Sequence, residues 1–125
     1  MGRKAGFDLG TTSSVVAILN GPQPQVLITR ENRDQMRSAV GLSKVKGGVA
    51  GELLVGDVAI DNWRMAPRDT VVSVKRLMGR AVTDPEVQKV RGRYRYQIVE
   101  PSYGTKDSVR VVIGGKQYSP IEISA

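Results

Sequence analysis

Short apolar runs, separated by turns rich in glycine and proline, organise the first part of this chain. Ala5-Gly6-Phe7-Asp8-Leu9 predicts a buried strand, Gly10-Thr11-Thr12-Ser13 a turn, and Ser14-Val15-Val16-Ala17-Ile18-Leu19 a second strand. A glycine-bearing turn between two β-prone runs is a hairpin signal. Asn20-Gly21-Pro22 predicts another turn and Gln25–Thr29 a third strand. Arg30–Arg37 is polar and irregular, Ser38–Lys44 predicts a further strand, and Val45-Lys46-Gly47-Gly48 predicts a turn.

The pattern then changes. Leu53-Leu54-Val55-Gly56 predicts a short strand ahead of a helix that starts at Asp57 as N-cap, runs through Ala59, Ile60 and Trp63, and ends at Pro67. Thr70–Met78 predicts a second short helix stopped by Gly79. Thr83-Asp84-Pro85-Glu86 predicts a third helix start, with proline at the first position and a Thr-x-x-Glu capping box. From Tyr94 to Gly115 the reading is β: Tyr94–Val99, a Ser102-Tyr103-Gly104 turn, then Val109–Ile113. Gly114-Gly115 leads into one more hairpin with Gln117-Tyr118.

Ser119-Pro120-Ile121-Glu122 is a second capping box with proline at its first helical position. Only six residues follow Ser119, and an isolated helix needs about 12–15 residues to hold. A sequence that announces a helix and then stops reads as a truncated piece of a longer protein.

Composition narrows the chemistry. The 125 residues are 40% hydrophobic and 25% charged, a balance suited to one soluble globular domain. Aromatics make up only 5%, so aliphatic side chains must build the core. There is no Cys and no His, which removes triad catalysis, thiolate zinc sites and imidazole acid–base work. Carboxylates, hydroxyls, Lys, Arg and backbone amides remain, a set suited to phosphoryl transfer with a hard cation. The Val15–Leu19 apolar stretch is too short for a membrane span, so a soluble, cytoplasmic protein with no membrane partner is expected. The net charge of +7 comes from scattered basic residues without a dense run or interleaved aromatics, and no nucleic-acid partner is expected.

Two segments could carry chemistry. In Asp8-Leu9-Gly10-Thr11-Thr12, a glycine lets backbone N–H groups approach a phosphate, threonine hydroxyls add donors, and Asp8 can hold Mg²⁺ through its water shell. An ordinary hairpin with a polar turn fits the same residues. In Val72–Arg80, Val71, Val74 and Met78 lie at helical spacing and leave Lys75 and Arg76 on other faces; by spacing alone this is a solvated basic helix face. Trp63 and Met65 read as packing residues. Tyr94 and Tyr96 alternate with Arg93 and Arg95, as on a solvated edge strand.

Several separated segments nevertheless match one family, in order. Gly6-Phe7-Asp8-Leu9-Gly10-Thr11-Thr12 resembles the opening of the seventy-kilodalton heat-shock (DnaK-type) chaperones, and Thr70–Arg80 resembles their lysine segment. Asp84-Pro85-Glu86-Val87-Gln88 and Tyr118–Ala125 are also similar. The resemblance implies an α/β, actin-like (ribonuclease-H-like) ATPase domain of two lobes around a nucleotide cleft. Residues 1–38 and 117–125 would belong to the inner subdomain of its first lobe, and residues 39–116 to a small α+β outer subdomain.

It further implies ATP/ADP and Mg²⁺ as cofactors. Asp8 would act on the metal's water shell, Gly10, Thr11 and Thr12 would bind phosphates, and Lys75 would be the catalytic lysine near the γ-phosphate. Arg76 would be a structural neighbour of the cleft. Implied partners are unfolded polypeptides, a J-domain co-chaperone and a nucleotide exchange factor. Two positions depart from the family: Ser13 stands where most members have Asn, and Met36-Arg37-Ser38-Ala39-Val40 replaces the usual Thr-Pro-Ser-Val-Val. The alternative is a sugar or polyol kinase of the same superfamily, which Gly10-Thr11-Thr12-Ser13-Ser14 also resembles.

Overall fold

Val15, Val16 and Ile18 are β-branched residues that favour a pleated strand, and they lie in the longest one, β2 (Ser13–Asn20). In the computed structural model, which describes residues 3–43, 51–102 and 108–125, β2 centres an antiparallel sheet. β1 (Ala5–Leu9) pairs along one edge, and β3 (Gln23–Val26) and β4 (Met36–Arg37) share the other. Asn20 pairs with Gln23, leaving the two-residue loop Gly21-Pro22. Gly21 takes a φ of 63° there, which glycine reaches without a Cβ penalty. This tight loop starts β3 earlier than the expected Gln25, and Pro24 is tolerated because β3 is an edge strand.

A second sheet places β5 (Ala39–Leu42) between β6 (Leu53–Val55) and β7 (Thr70–Val72). In a third, β9 (Arg110–Ile113) lies between β8 (Gln97–Val99) and β10 (Lys116–Tyr118). The β9–β10 loop is Gly114-Gly115, with φ of 58° and 79°, the two left-handed residues that a tight hairpin of matching twist requires. Among the described residues, three short helices complete the order: α1 (Asp57–Asp61), α2 (Pro85–Arg93) and α3 (Pro120–Ser124). The last begins with the expected capping box: Ser119 Oγ accepts from the Glu122 amide at 3.1 Å, and the Ser119 amide donates to Glu122 Oε2 at 2.8 Å.

The core gathers Val71, Leu77, Val87, Val109, Val111 and Tyr96 between the second and third sheets and α2. The N-terminal sheet contributes nothing to it. Phe7 is 69% exposed, and every residue of β1 is exposed. The expectation of a buried first strand is thereby corrected: none of the described elements covers its faces.

Other expectations change for local reasons. Thr70–Met78 is not one helix. Thr70-Val71-Val72 is β-branched throughout and pairs with Gly41, Val40 and Ala39, and only Val74–Leu77 turns as a 3-10 segment. The α1 cap is Gly56 rather than Asp57, at φ 81°, and the helix stops at Asp61, well before Pro67. Met65 is 56% exposed, whereas Trp63 packs on the core. Met36-Arg37 is a strand rather than irregular, and the strand expected at Ser38–Lys44 is Ala39–Leu42 among the described residues. The turn expected at Val45-Lys46-Gly47-Gly48, like Tyr103-Gly104 of the later one, lies outside the described residues.

Asp84, not Thr83, caps α2. Its carboxylate accepts from the Glu86 amide at 2.9 Å and pairs with Arg80 at 3.1 Å. The Glu86 amide, reinforced by Arg80, holds the Asp84 carboxyl below the usual carboxylate range. A depressed folded-state pKa contributes stability above the unfolded value of about 4 and loses it as pH falls through the folded value. Asp84→Asn is therefore expected to flatten the decline in melting temperature below about pH 4. An acid limb identical to that of the wild type would remove Asp84 from that role.

Candidate functional site

The turn between β1 and β2 is closed by its glycine. The Gly10 amide donates to the Ser13 carbonyl oxygen at 3.1 Å, and a Cβ at position 10 would collide with that same oxygen. Close backbone approach, rather than an unusual φ, makes glycine necessary. The Gly10 amide is thus engaged in the turn itself, while among the described residues the Thr11 and Thr12 amides have no acceptor. Thr11 is half-buried and borders a cavity of about 510 Å³; Thr12 and Asp8 are exposed.

Ser38 ties this turn to the rest of the chain. Its hydroxyl donates to the Gly10 carbonyl at 2.8 Å and lies 2.9 Å from the Ser14 hydroxyl, and its amide donates to the Thr12 carbonyl at 2.9 Å. Sequence reasoning missed it, since one serine in a polar stretch carries no signal of a long-range partner. The neighbouring departure also has a physical consequence. Arg37 has an N–H that proline lacks, and it donates to Asp57 Oδ1 at 3.4 Å. Arg33 Nε lies 3.4 Å from Asp57 Oδ2 as an ion pair without hydrogen-bond geometry, since that buried oxygen has no hydrogen-bond partner. Met36 packs against Gly56.

The lysine segment reaches the same place from the other side. β7 ends at Val72, Ser73 takes a left-handed conformation (φ 55°, ψ 28°), and the 3-10 turn carries Lys75 outward. Lys75 Nζ donates to the Leu9 carbonyl at 2.6 Å, joining positions 66 apart in sequence. Leu9, Gly10, Thr11, Lys75, Met78 and Ser124 all border the cavity. The structure therefore brings Lys75 to the β1–β2 turn and leaves Arg76 exposed outside that lining.

Behind this corner stand Tyr94 and Tyr96. The Tyr96 hydroxyl donates to the Val72 carbonyl at 2.7 Å, and burial pushes its phenol well above its ordinary pKa. Tyr94 stacks on it with ring centroids 5.8 Å apart, and Trp63 lies 6.0 Å beyond. The solvated edge strand expected here is corrected: β8 begins only at Gln97, and Tyr96 is buried in the core.

The residues present fit a nucleotide's phosphates better than a free-standing metal. Among the described residues no cluster of three or more carboxylates could hold a cation. Asp8 stands as a single exposed carboxylate on β1. The glycine cradle at the turn and an ammonium at its shoulder suit anionic oxygens. No helix among the described residues is long and apolar enough to cross a membrane.

A family model described as Hsp70 protein matches residues 4–125. The mixed α/β arrangement is consistent with the N-terminal portion of that family's actin-like ATPase domain, and it is the heat-shock reading, not the sugar-kinase one, that the match supports. By this match over nearly its whole length, the chain belongs to the Hsp70 family.

Proposed function

We propose that this chain forms the first part of the ATPase domain of a cytoplasmic molecular chaperone, in which ATP binding and hydrolysis drive cycles of binding to unfolded polypeptide. The observation that carries this reading is the meeting of Lys75 with the β1–β2 turn at 2.6 Å, which aligns the two segments that resemble the family's phosphate-handling motifs. Residues 1–38 and 117–125 serve as the inner subdomain and residues 39–116 as the outer one.

In this reading the Thr11 and Thr12 amides and hydroxyls grip phosphate oxygens, and Gly10 keeps the turn tight enough for them to approach. Asp8 orients water in the shell of Mg²⁺, which when bound neutralises charge on the phosphates. The Lys75 ammonium exchanges the Leu9 carbonyl for a phosphate oxygen and stabilises the charge that develops on transfer. A J-domain co-chaperone and a nucleotide exchange factor set the pace of the cycle in the family and are the partners proposed here.

The test is ATP turnover by the full-length protein that carries this segment, with and without an extended apolar peptide, and beside a panel of sugars and polyols. Slow hydrolysis stimulated by peptide is expected. Fast turnover that depends on a sugar and ignores peptide would overturn the reading in favour of a kinase.

A further inference from the structure

Ser73 is one of two non-glycine residues with a positive φ among the described residues, and it sits two positions before Lys75. A left-handed conformation is disfavoured for a non-glycine residue, so something must hold it. The direction in which the chain leaves β7, and hence where Lys75 points, follows from this one residue: the 3-10 turn begins immediately after it, with the Arg76 amide donating back to the Ser73 carbonyl at 3.1 Å.

Two tyrosines grip the chain at this point. Tyr96 binds the Val72 carbonyl at 2.7 Å, on the strand side of the corner. Tyr94 shares a hydrogen bond with the Ser73 hydroxyl at 3.1 Å, at the strained residue itself. The Tyr94 ring is fixed in turn by the stack on Tyr96, inclined at 14°, by Trp63, and by the Arg93 guanidinium 5.7 Å from its centroid. A clamp this well supported at a strained position two residues from a site lysine is more than core filling, because the core needs the rings but not the Tyr94 hydroxyl.

We infer that Tyr94 is a positioning residue for Lys75, holding Ser73 left-handed so that the lysine reaches the β1–β2 turn. Its importance for phosphate chemistry rests on the reading of Lys75 given above; the placement itself does not. When the Tyr94 hydroxyl is lost, Ser73 relaxes toward a right-handed or extended conformation and Lys75 Nζ leaves the Leu9 carbonyl.

The experiment uses the full-length protein that carries this segment, labelled with ¹³C at leucine carbonyls, and reads the Leu9 carbonyl resonance without any nucleotide. Lys75→Met gives the position of that resonance when the bond is gone, upfield of the wild type. Tyr94→Phe keeps the ring stack and is expected to move the resonance most of the way to the Lys75→Met value. The double variant Ser73→Gly/Tyr94→Phe is expected to bring it back toward the wild type, because glycine enters the left-handed conformation without a Cβ penalty and needs no clamp. A Tyr94→Phe resonance at the wild-type position would overturn the proposal, and so would a double variant that stays at the Lys75→Met position. Neither outcome depends on ATP, so failure here is distinct from failure of the proposed function, which the turnover measurement judges separately.

Discussion

Replacing Leu77 by alanine is expected to cost the chain about 3 kcal/mol, within the range for truncating a fully buried leucine. Leu77 has no exposed surface, and the 3-10 turn that it ends contacts both α2 and α3. Its removal strips apolar contacts from the core and leaves a cavity that three elements would have to move together to fill. For a chain of this size that corresponds to a fall in melting temperature of about 11 °C. It is a large part of the 5–15 kcal/mol a domain typically holds. Urea and thermal unfolding followed by circular dichroism would measure it. A loss under about 1 kcal/mol would mean the 3-10 turn can collapse freely, and that Leu77 does not anchor the segment that carries Lys75.

What was legible in the sequence follows the range of the interactions involved. The β1–β2 and β9–β10 hairpins and the α3 capping box are local, and their glycine, serine and proline signals were enough. The segment at Thr70–Met78 was misread because apolar residues at helical spacing also suit a strand, and the choice is made by β5, some thirty residues earlier in the chain. The tyrosine pair was misread for a similar reason. Alternation with arginine suggested two faces in solvent, but Val72 and Ser73 offer the hydroxyls partners that only the fold brings near.

The candidate site divides in the same way. Asp8, Gly10, Thr11, Thr12 and Lys75 were visible through family resemblance, and the approach of Lys75 to the hairpin is now seen as a contact. Ser38 was invisible, because its bonds to Gly10, Thr12 and Ser14 are all made across 24 to 28 positions. The partners of Asp57 were equally hidden: an acidic residue after a glycine reads as a cap, yet its carboxylate turns toward Arg33 and the Arg37 amide.

Lys75→Ala in the full-length protein is expected to lower ATP turnover about 10²–10³-fold, the usual loss when one preorganised electrostatic donor is removed from developing charge. The form of the loss discriminates between roles. An ammonium that acts mainly in the transition state takes kcat down and leaves KM nearly unchanged, whereas one that binds phosphate equally in both states raises KM alone. Lys75→Arg should not restore the rate, because the broader, planar guanidinium spreads its charge and does not place a compact ammonium charge where Lys75 Nζ now lies. Folding is the control. Lys75 is exposed, and a surface substitution typically moves stability by no more than about 0.5 kcal/mol. The alanine variant should therefore melt close to the wild type, the opposite of Leu77→Ala two residues away. Full turnover in a well-folded Lys75→Ala protein would remove the lysine from the reaction and leave its bond to the hairpin a purely structural one.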